Sequence, residues 1–244
     1  ETGDKLKSYK ELLKIFKKNK NNNLIRYNLA VIQQNLNLNE EARINYIYLI
    51  KNEKNLKAMI NLYNMDITEA NYYEAFNTIE NILKIKTIEN VVKDKAFVLY
   101  KLNRIKEAKK ICIFYLNKNN KDLGFLTVIG QCLFHERKYD EAIKIFENIL
   151  QIDSNNLSAL NSLARTHNEK NENGKAEEYY LKALKIDDSS FYLLNNIAGF
   201  YRENSSYDKA IDYYKQALSV NPNNAYIYNN LAKIYFDLNN QLCL

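Results

Sequence analysis

The chain has 244 residues, 46% of them hydrophobic and 26% charged, enough to bury a sizeable core and unlike the composition of a disordered segment. Five glycines and one proline leave few residues for tight turns, bulges and phosphate-cradling loops, which argues against an all-β or nucleotide-binding fold. The net charge of +6 divides into 23 basic and 14 acidic residues up to residue 122, then 12 and 15 beyond it, so the basic surplus lies in the first half. Such a surplus can steer an acidic partner or a nucleic acid, but in a chain where about one residue in six is Asn, and Lys, Ile and Tyr abound, it reads as the solvated surface of a low-GC gene product.

In chain order, Glu1-Thr2-Gly3 reads as an expression scar over residues 1–3, and residues 4–22 as the second helix of a truncated repeat, with Ser8, Leu12 and Ile15 at packing positions. From residue 23 onward the sequence repeats itself. Ala42, Ala75, Ala108, Ala142, Ala176 and Ala210 recur at spacings of 33, 33, 34, 34 and 34, each inside a segment such as YDEAIKIFENILQID at 139–153 or YDKAIDYYKQALSVNP at 207–222. Ahead of each alanine runs a second pattern, as in LNSLARTH at 160–167 and LLNNIAGFY at 193–201. Both carry apolar residues at i, i+3 or i+4 and i+7, the stripe of an amphipathic helix, and are separated by short polar turns such as KNENG and ENSS. The unit is a helix hairpin, and one hairpin cannot bury both of its apolar faces alone, so neighbours must stack.

These units resemble the tetratricopeptide repeat (TPR) family, whose 34-residue pattern has a large residue at position 4, Leu at 7, a small residue at 8, an aromatic at 11, Ala at 20, an aromatic at 24, Ala at 27 and Pro at 32. The repeat beginning at Phe191 matches with Leu194, Ile197, Ala198, Tyr201, Ala210, Tyr214, Ala217 and Pro222. The repeats from Leu157 and Leu123 follow closely, which makes residues 123–224 three well-matched repeats. Residues 23–122 read as three divergent ones, beginning at Asn23, Leu56 and Glu89, with Asp66 where an aromatic belongs and Lys95 where Leu belongs. Residues 225–244 read as a first helix without its second, so the chain reads as a fragment of a longer array. Ile227, Leu231, Ile234 and Leu238 are then expected to form an uncovered stripe that promotes self-association. The resemblance implies an all-α fold, a right-handed solenoid of stacked antiparallel helix hairpins forming a superhelix.

Residues capable of catalysis are few. His167 falls on a packing position and His135 on an exposed one without a neighbouring carboxylate or thiol; Cys112 takes the place of a core aromatic. Cys112, Cys132 and Cys243 form an odd set without CxxC spacing, which indicates neither disulfides nor zinc, and Glu177-Glu178 is expected on an outward helix face. The sequons at Asn156 and Asn204 are what an Asn-rich chain produces by chance. No phosphate loop, metalloprotease or nucleophile-elbow motif occurs. The reading is a non-enzyme with no cofactor and no metal. No segment is apolar enough to span a bilayer and no secretory signal is visible, giving an intracellular, cytoplasmic expectation with no membrane partner.

The resemblance places positions 2, 5, 6, 9, 12 and 13 of each first helix on the concave face of the array. Carried over, the candidate partner-binding residues are Asn28, Asn61, Asn161, Arg165, Tyr192, Asn195, Asn196, Arg202, Tyr226, Asn229, Asn230 and Lys233. A column of Asn amides, each with donors and an acceptor, suits the main chain of an extended peptide, and cations beside aromatics suit an acidic, aromatic-containing one. The chaperone-binding members of the family use Lys at 5 and Asn at 9, then Asn at 6, then Lys at 2 and Arg at 6. Here the nearest register gives Asn161 and Arg165, Asn196, then Tyr226 and Asn230, so a chaperone tail is not the expected ligand. The function implied is a protein-interaction scaffold or adaptor that takes an extended or helical partner segment in its groove. Two alternatives stay open: a pentatricopeptide-like RNA-binding array, though no specific nucleic acid is expected, and the substrate-recruiting arm of a larger enzyme such as a glycosyltransferase.

Overall fold

A computed structural model describes residues 2–241; Glu1 and Cys243 lie outside them. The described residues form fourteen α-helices and no strand: α1 (Thr2–Lys18), α2 (Asn23–Asn35), α3 (Asn39–Glu53), α4 (Leu56–Thr68), α5 (Tyr72–Ile85), α6 (Glu89–Lys101), α7 (Ile105–Leu116), α8 (Leu123–His135), α9 (Tyr139–Ile152), α10 (Leu157–Glu169), α11 (Asn173–Leu184), α12 (Phe191–Glu203), α13 (Tyr207–Val220) and α14 (Ala225–Gln241). They divide into two compact units, residues 1–111 and 112–244. The fold is an all-α helical-repeat solenoid, and within each unit consecutive helices pair as hairpins, α2 with α3 and α4 with α5 in the first, α8 with α9, α10 with α11 and α12 with α13 in the second.

Local chemistry sets the ends of these helices. Asn22, Asn55, Asp122, Asn156 and Asn224 each accept a backbone N–H three residues on, at 3.0–3.2 Å, capping the start of a first helix. Each first helix then stops at the same register. Asn37, Ala70, Asn103, Arg137, Asn171 and Ser205 all adopt φ near 60°, and none is a glycine. The next residue's N–H, from Leu38, Asn71, Arg104, Lys138, Glu172 and Ser206, returns 2.7–2.9 Å to the carbonyl five residues back. This six-to-one bond satisfies a terminal carbonyl and swings the chain directly into the second helix, which starts without a side-chain cap in α3, α5, α9, α11 and α13.

The recurring alanines have no exposed surface, so the second helix approaches its neighbours as closely as a methyl group permits. Four residues downstream of each, Tyr46, Ile79, Cys112, Phe146, Tyr180 and Tyr214 are all buried. The two departures of the divergent repeats are both answered by charge. Asp66, where an aromatic belongs, receives Arg43 at 2.5 Å, and Lys95, where Leu belongs, reaches Glu80 at 2.5 Å.

One expectation is overturned. Ile227, Leu231 and Ile234 of α14 are buried, and Leu238 packs against the same apolar cluster as Ile211, Tyr214 and Ala217 of α13. The expected stripe is thus covered by the preceding hairpin, and what α14 exposes instead is Tyr226, Tyr228, Tyr235 and Phe236. Glu177, expected on an outward face, is partly exposed and accepts from the Tyr201 hydroxyl at 2.6 Å and from Lys209 at 3.2 Å.

Candidate functional site

The second unit carries a cavity of about 350 Å³ between the inner faces of its first helices. Arg165, Asn168 and Glu169 come to it from α10, Asn195, Asn196, Gly199, Phe200, Arg202 and Glu203 from α12, and Tyr226 from α14, while Tyr180 and Tyr214 enter from α11 and α13. Five of the residues singled out from the sequence, Arg165, Asn195, Asn196, Arg202 and Tyr226, therefore line one space.

Helix register brings them together. Positions 5, 9 and 13 of a first helix lie one above another on the same face, and the following first helix presents its own copies alongside. At position 9 the neighbours Arg165 and Lys233 bracket Gly199. A Cβ built on Gly199 meets nothing within 4 Å, so the missing side chain leaves open space where the flanking repeats carry cations. The tyrosines form buried walls. Burial pushes the Tyr214 hydroxyl up to about 12 and that of Tyr180 further still, so both remain protonated.

The Asn column is not the free row of amides that the sequence suggests. Asn196 donates to the Oδ1 of Asn161 at 2.9 Å, across adjacent first helices. Asn230 is buried, 3% exposed, and its Oδ1 accepts from Arg202 at 2.7 Å. In the first unit Asn61 donates to the hydroxyls of Tyr46 and Tyr27 at 3.0 and 3.2 Å. These amides join one repeat to the next, Asn196 to Asn161, Asn230 to Arg202 and Asn61 to Tyr27 and Tyr46. Unspent capacity is left at two atoms, Asn195 Oδ1 and Asn230 Nδ2, which are buried without a partner.

The remaining candidates are dispersed. Tyr192, 79% exposed, stands beside a smaller hollow lined by Leu157, Asn161 and Ser190. Asn229 and Lys233 are exposed on α14. Asn28 lies in the first unit, on an open apolar groove with Leu12, Ile15 and Val31. Nor is the cavity simply cationic. Arg165 lies over the Phe134 ring at 5.1 Å, and Glu169 and Glu203 stand on the same walls, Glu203 accepting from Asn168 at 2.9 Å. Sequence reasoning passed over Gly199 and these two carboxylates; the gap in the position 9 column was the available signal.

Residues with catalytic chemistry are held elsewhere. The His167 ring is buried, its Nδ1 2.8 Å from Glu172 Oε2 and its face stacked on Tyr179 at 5.4 Å. Burial pushes the Cys112 thiol up to about 12, which keeps it unreactive.

Comparison with known proteins shows what the chain is similar to. The tetratricopeptide repeat model matches residues 125–189 and a TPR repeat model matches residues 200–239. No curated protein matches the chain. Among solved structures, a tetratricopeptide repeat protein from Parabacteroides merdae superposes with a TM-score of 0.87 at 17% identity, over 96% of this chain and 93% of that one. A thermophilic TPR protein in Thermus thermophilus gives 0.70 at 16% identity, over 75% of this chain and all of that one. A chain of the APC/C hetero-tetramer Cut9–Hcn1 gives 0.69 at 16% identity, covering 96% of this chain and 46% of that one. The repeat signature and the hairpin geometry coincide: residues 125–189 and 200–239 match tetratricopeptide repeats, and the fold of the described residues is that of tetratricopeptide repeat structures.

Proposed function

We propose that the protein is a non-catalytic interaction scaffold that holds an extended segment of a partner protein in the cavity of its second unit. The observation that carries this reading is the buried, unpartnered Oδ1 of Asn195 on the wall of a 350 Å³ space opened by Gly199. A buried polar atom without a partner is costly, and an incoming peptide N–H supplies what it lacks. Arg165, Arg202, Glu169 and Glu203 offer both signs of charge at the rim, so the segment is gripped by its main chain and one inserted side chain, with neighbouring charges setting its direction. Support also comes from the general use of the fold for protein partners, as in the Cut9–Hcn1 hetero-tetramer.

The test is selection of peptides from a random display library on the immobilised protein, followed by binding measurements on variants. Asn195→Ala should weaken a selected peptide by roughly 1 kcal/mol or more, and Gly199→Leu should abolish capture by filling the space. Lys182→Ala and Lys215→Ala, on outward positions, should do nothing. Binding lost in the outward pair and kept in the inward pair would show that the convex side is used.

A further inference from the structure

The basic surplus is concentrated at one place. Between residues 5 and 20 there are seven lysines, Lys5, Lys7, Lys10, Lys14, Lys17, Lys18 and Lys20, and a single acidic residue, Glu11. Five of them, at 7, 10, 14, 17 and 18, follow the i, i+3, i+7, i+10, i+11 spacing that confines them to about 100° of the circumference of α1. All five are exposed, and among the described residues none is engaged in an ion pair. The opposite side of α1, with Leu12, Leu13 and Phe16, is partly buried, so the stripe faces away from the packed side of the helix.

Two of the lysines have a sufficient structural reason. Lys17 and Lys18 occupy the last turn, where a cation offsets the helix dipole. Lys7, Lys10 and Lys14 stand in mid-helix, where Glu11 is the one neighbouring carboxylate against three cations and Lys10 and Lys14, four residues apart, repel one another. An external negative charge would relieve that repulsion.

We propose that the lysine stripe of α1 docks the protein on an anionic phospholipid surface. The composition of the arc chooses among anions. It contains Lys, Glu11 at its margin, and Leu6, which is 49% exposed beside Lys10 and Lys17. It has no Arg, no aromatic ring and no Ser, Thr, Asn or Gln, so it lacks the stacking platforms and hydrogen-bonding side chains with which proteins grip single-stranded nucleic acid or order phosphates. Flexible, strongly hydrated ammonium groups along a straight line, with one apolar side chain beside them, suit a plane of delocalised negative charge with hydrocarbon beneath it. Peripheral docking of this kind needs no spanning segment, and no helix among the described residues is long and apolar enough to cross a membrane.

The experiment is co-sedimentation of the whole chain with phosphatidylcholine vesicles, with and without phosphatidylserine. Binding should require phosphatidylserine and fall away between ~0.05 and ~0.5 M salt as the Debye length shrinks. The triple variant Lys7→Gln/Lys10→Gln/Lys14→Gln should lower partitioning roughly a hundredfold while its helical circular dichroism stays unchanged. A control triple, Lys182→Gln/Lys185→Gln/Lys215→Gln, should behave as the parent. Absence of binding to the acidic vesicles at low salt, or equal losses in the two triples, would overturn the proposal. So would a single-stranded RNA that displaces the protein from vesicles at equal phosphate concentration, since that assigns the stripe to nucleic acid.

Discussion

Arg43 of α3 donates to the carboxylate of Asp66 of α4 at 2.5 Å, and Asp66 has only 1% of its surface exposed. A second guanidinium nitrogen reaches Glu69 at 2.6 Å. The aromatic ring usual at this place in the repeat has been exchanged for a buried ion pair. Such a pair adds little over well-packed apolar residues, yet its halves cannot be separated cheaply. Arg43→Met should therefore destabilise the protein by about 3 kcal/mol, and Arg43→Met combined with Asp66→Phe should recover most of that. Urea unfolding of the single and double variants decides it; additive losses would show that the pair is not a coupled unit.

Two glycines of the second unit should respond in opposite ways. A Cβ on Gly130 would stand 2.5 Å from the buried Phe146 ring, so Gly130→Ala should cost about 1–3 kcal/mol through overpacking. Gly199→Ala meets open space and should gain up to about 1 kcal/mol from helix propensity. Thermal denaturation of the two variants should bracket the parent.

Acid sensitivity should carry two contributions of opposite sign. Hydrogen bonds from Lys170, His167 and Lys175 hold Glu172 at about 2 instead of its ordinary 4.5, so its contribution is complete above pH 4.5 and is lost as pH falls through about 2. Asp66 is raised above its ordinary 3.8, with burial outweighing the pull of Arg43, so its ionised form disfavours folding and its contribution grows as pH falls. Glu172→Gln should flatten the acid limb of a stability profile, and Asp66→Asn should steepen it. Urea midpoints across pH 2–6 read both slopes; an unchanged limb in Glu172→Gln would refute the assignment.

Inside the cavity, reversing charge should separate steering from grip. Arg165→Glu leaves the Asn230 amide untouched and should slow association of a captured acidic peptide and weaken its salt dependence. Arg202→Ala should also release the carbonyl of Asn230 and shorten the lifetime of the complex. Surface plasmon resonance separates the two rates; identical effects on both would mean that Arg202 acts only through its charge.

The architecture was readable because its signals are local and recur. Six alanines spaced by 33 or 34 residues mark the closest helix contacts, and all six are fully buried. The site was harder to read because its chemistry is decided by residues a whole repeat away. Asn161 and Asn196, 35 residues apart, look like two free ligands in the sequence and are one hydrogen bond in the fold. Asn230 and Arg202 are likewise partners, and Arg43 compensates a charge that the sequence shows only as a misplaced Asp66. The uncovered stripe expected on α14 failed for the same reason, since one hairpin finishes the burial that the next begins.

The six left-handed turns closed by backbone bonds also provide a clock for each repeat. The amide protons of Leu38, Asn71, Arg104, Lys138, Glu172 and Ser206 are each locked by one bond that exists only while its own hairpin is closed. Opening in a quasi-one-dimensional array proceeds through neighbouring units, so each of these protons exchanges with solvent at the rate at which its hairpin frays. The order in which the six signals fade would trace how disorder travels along the chain.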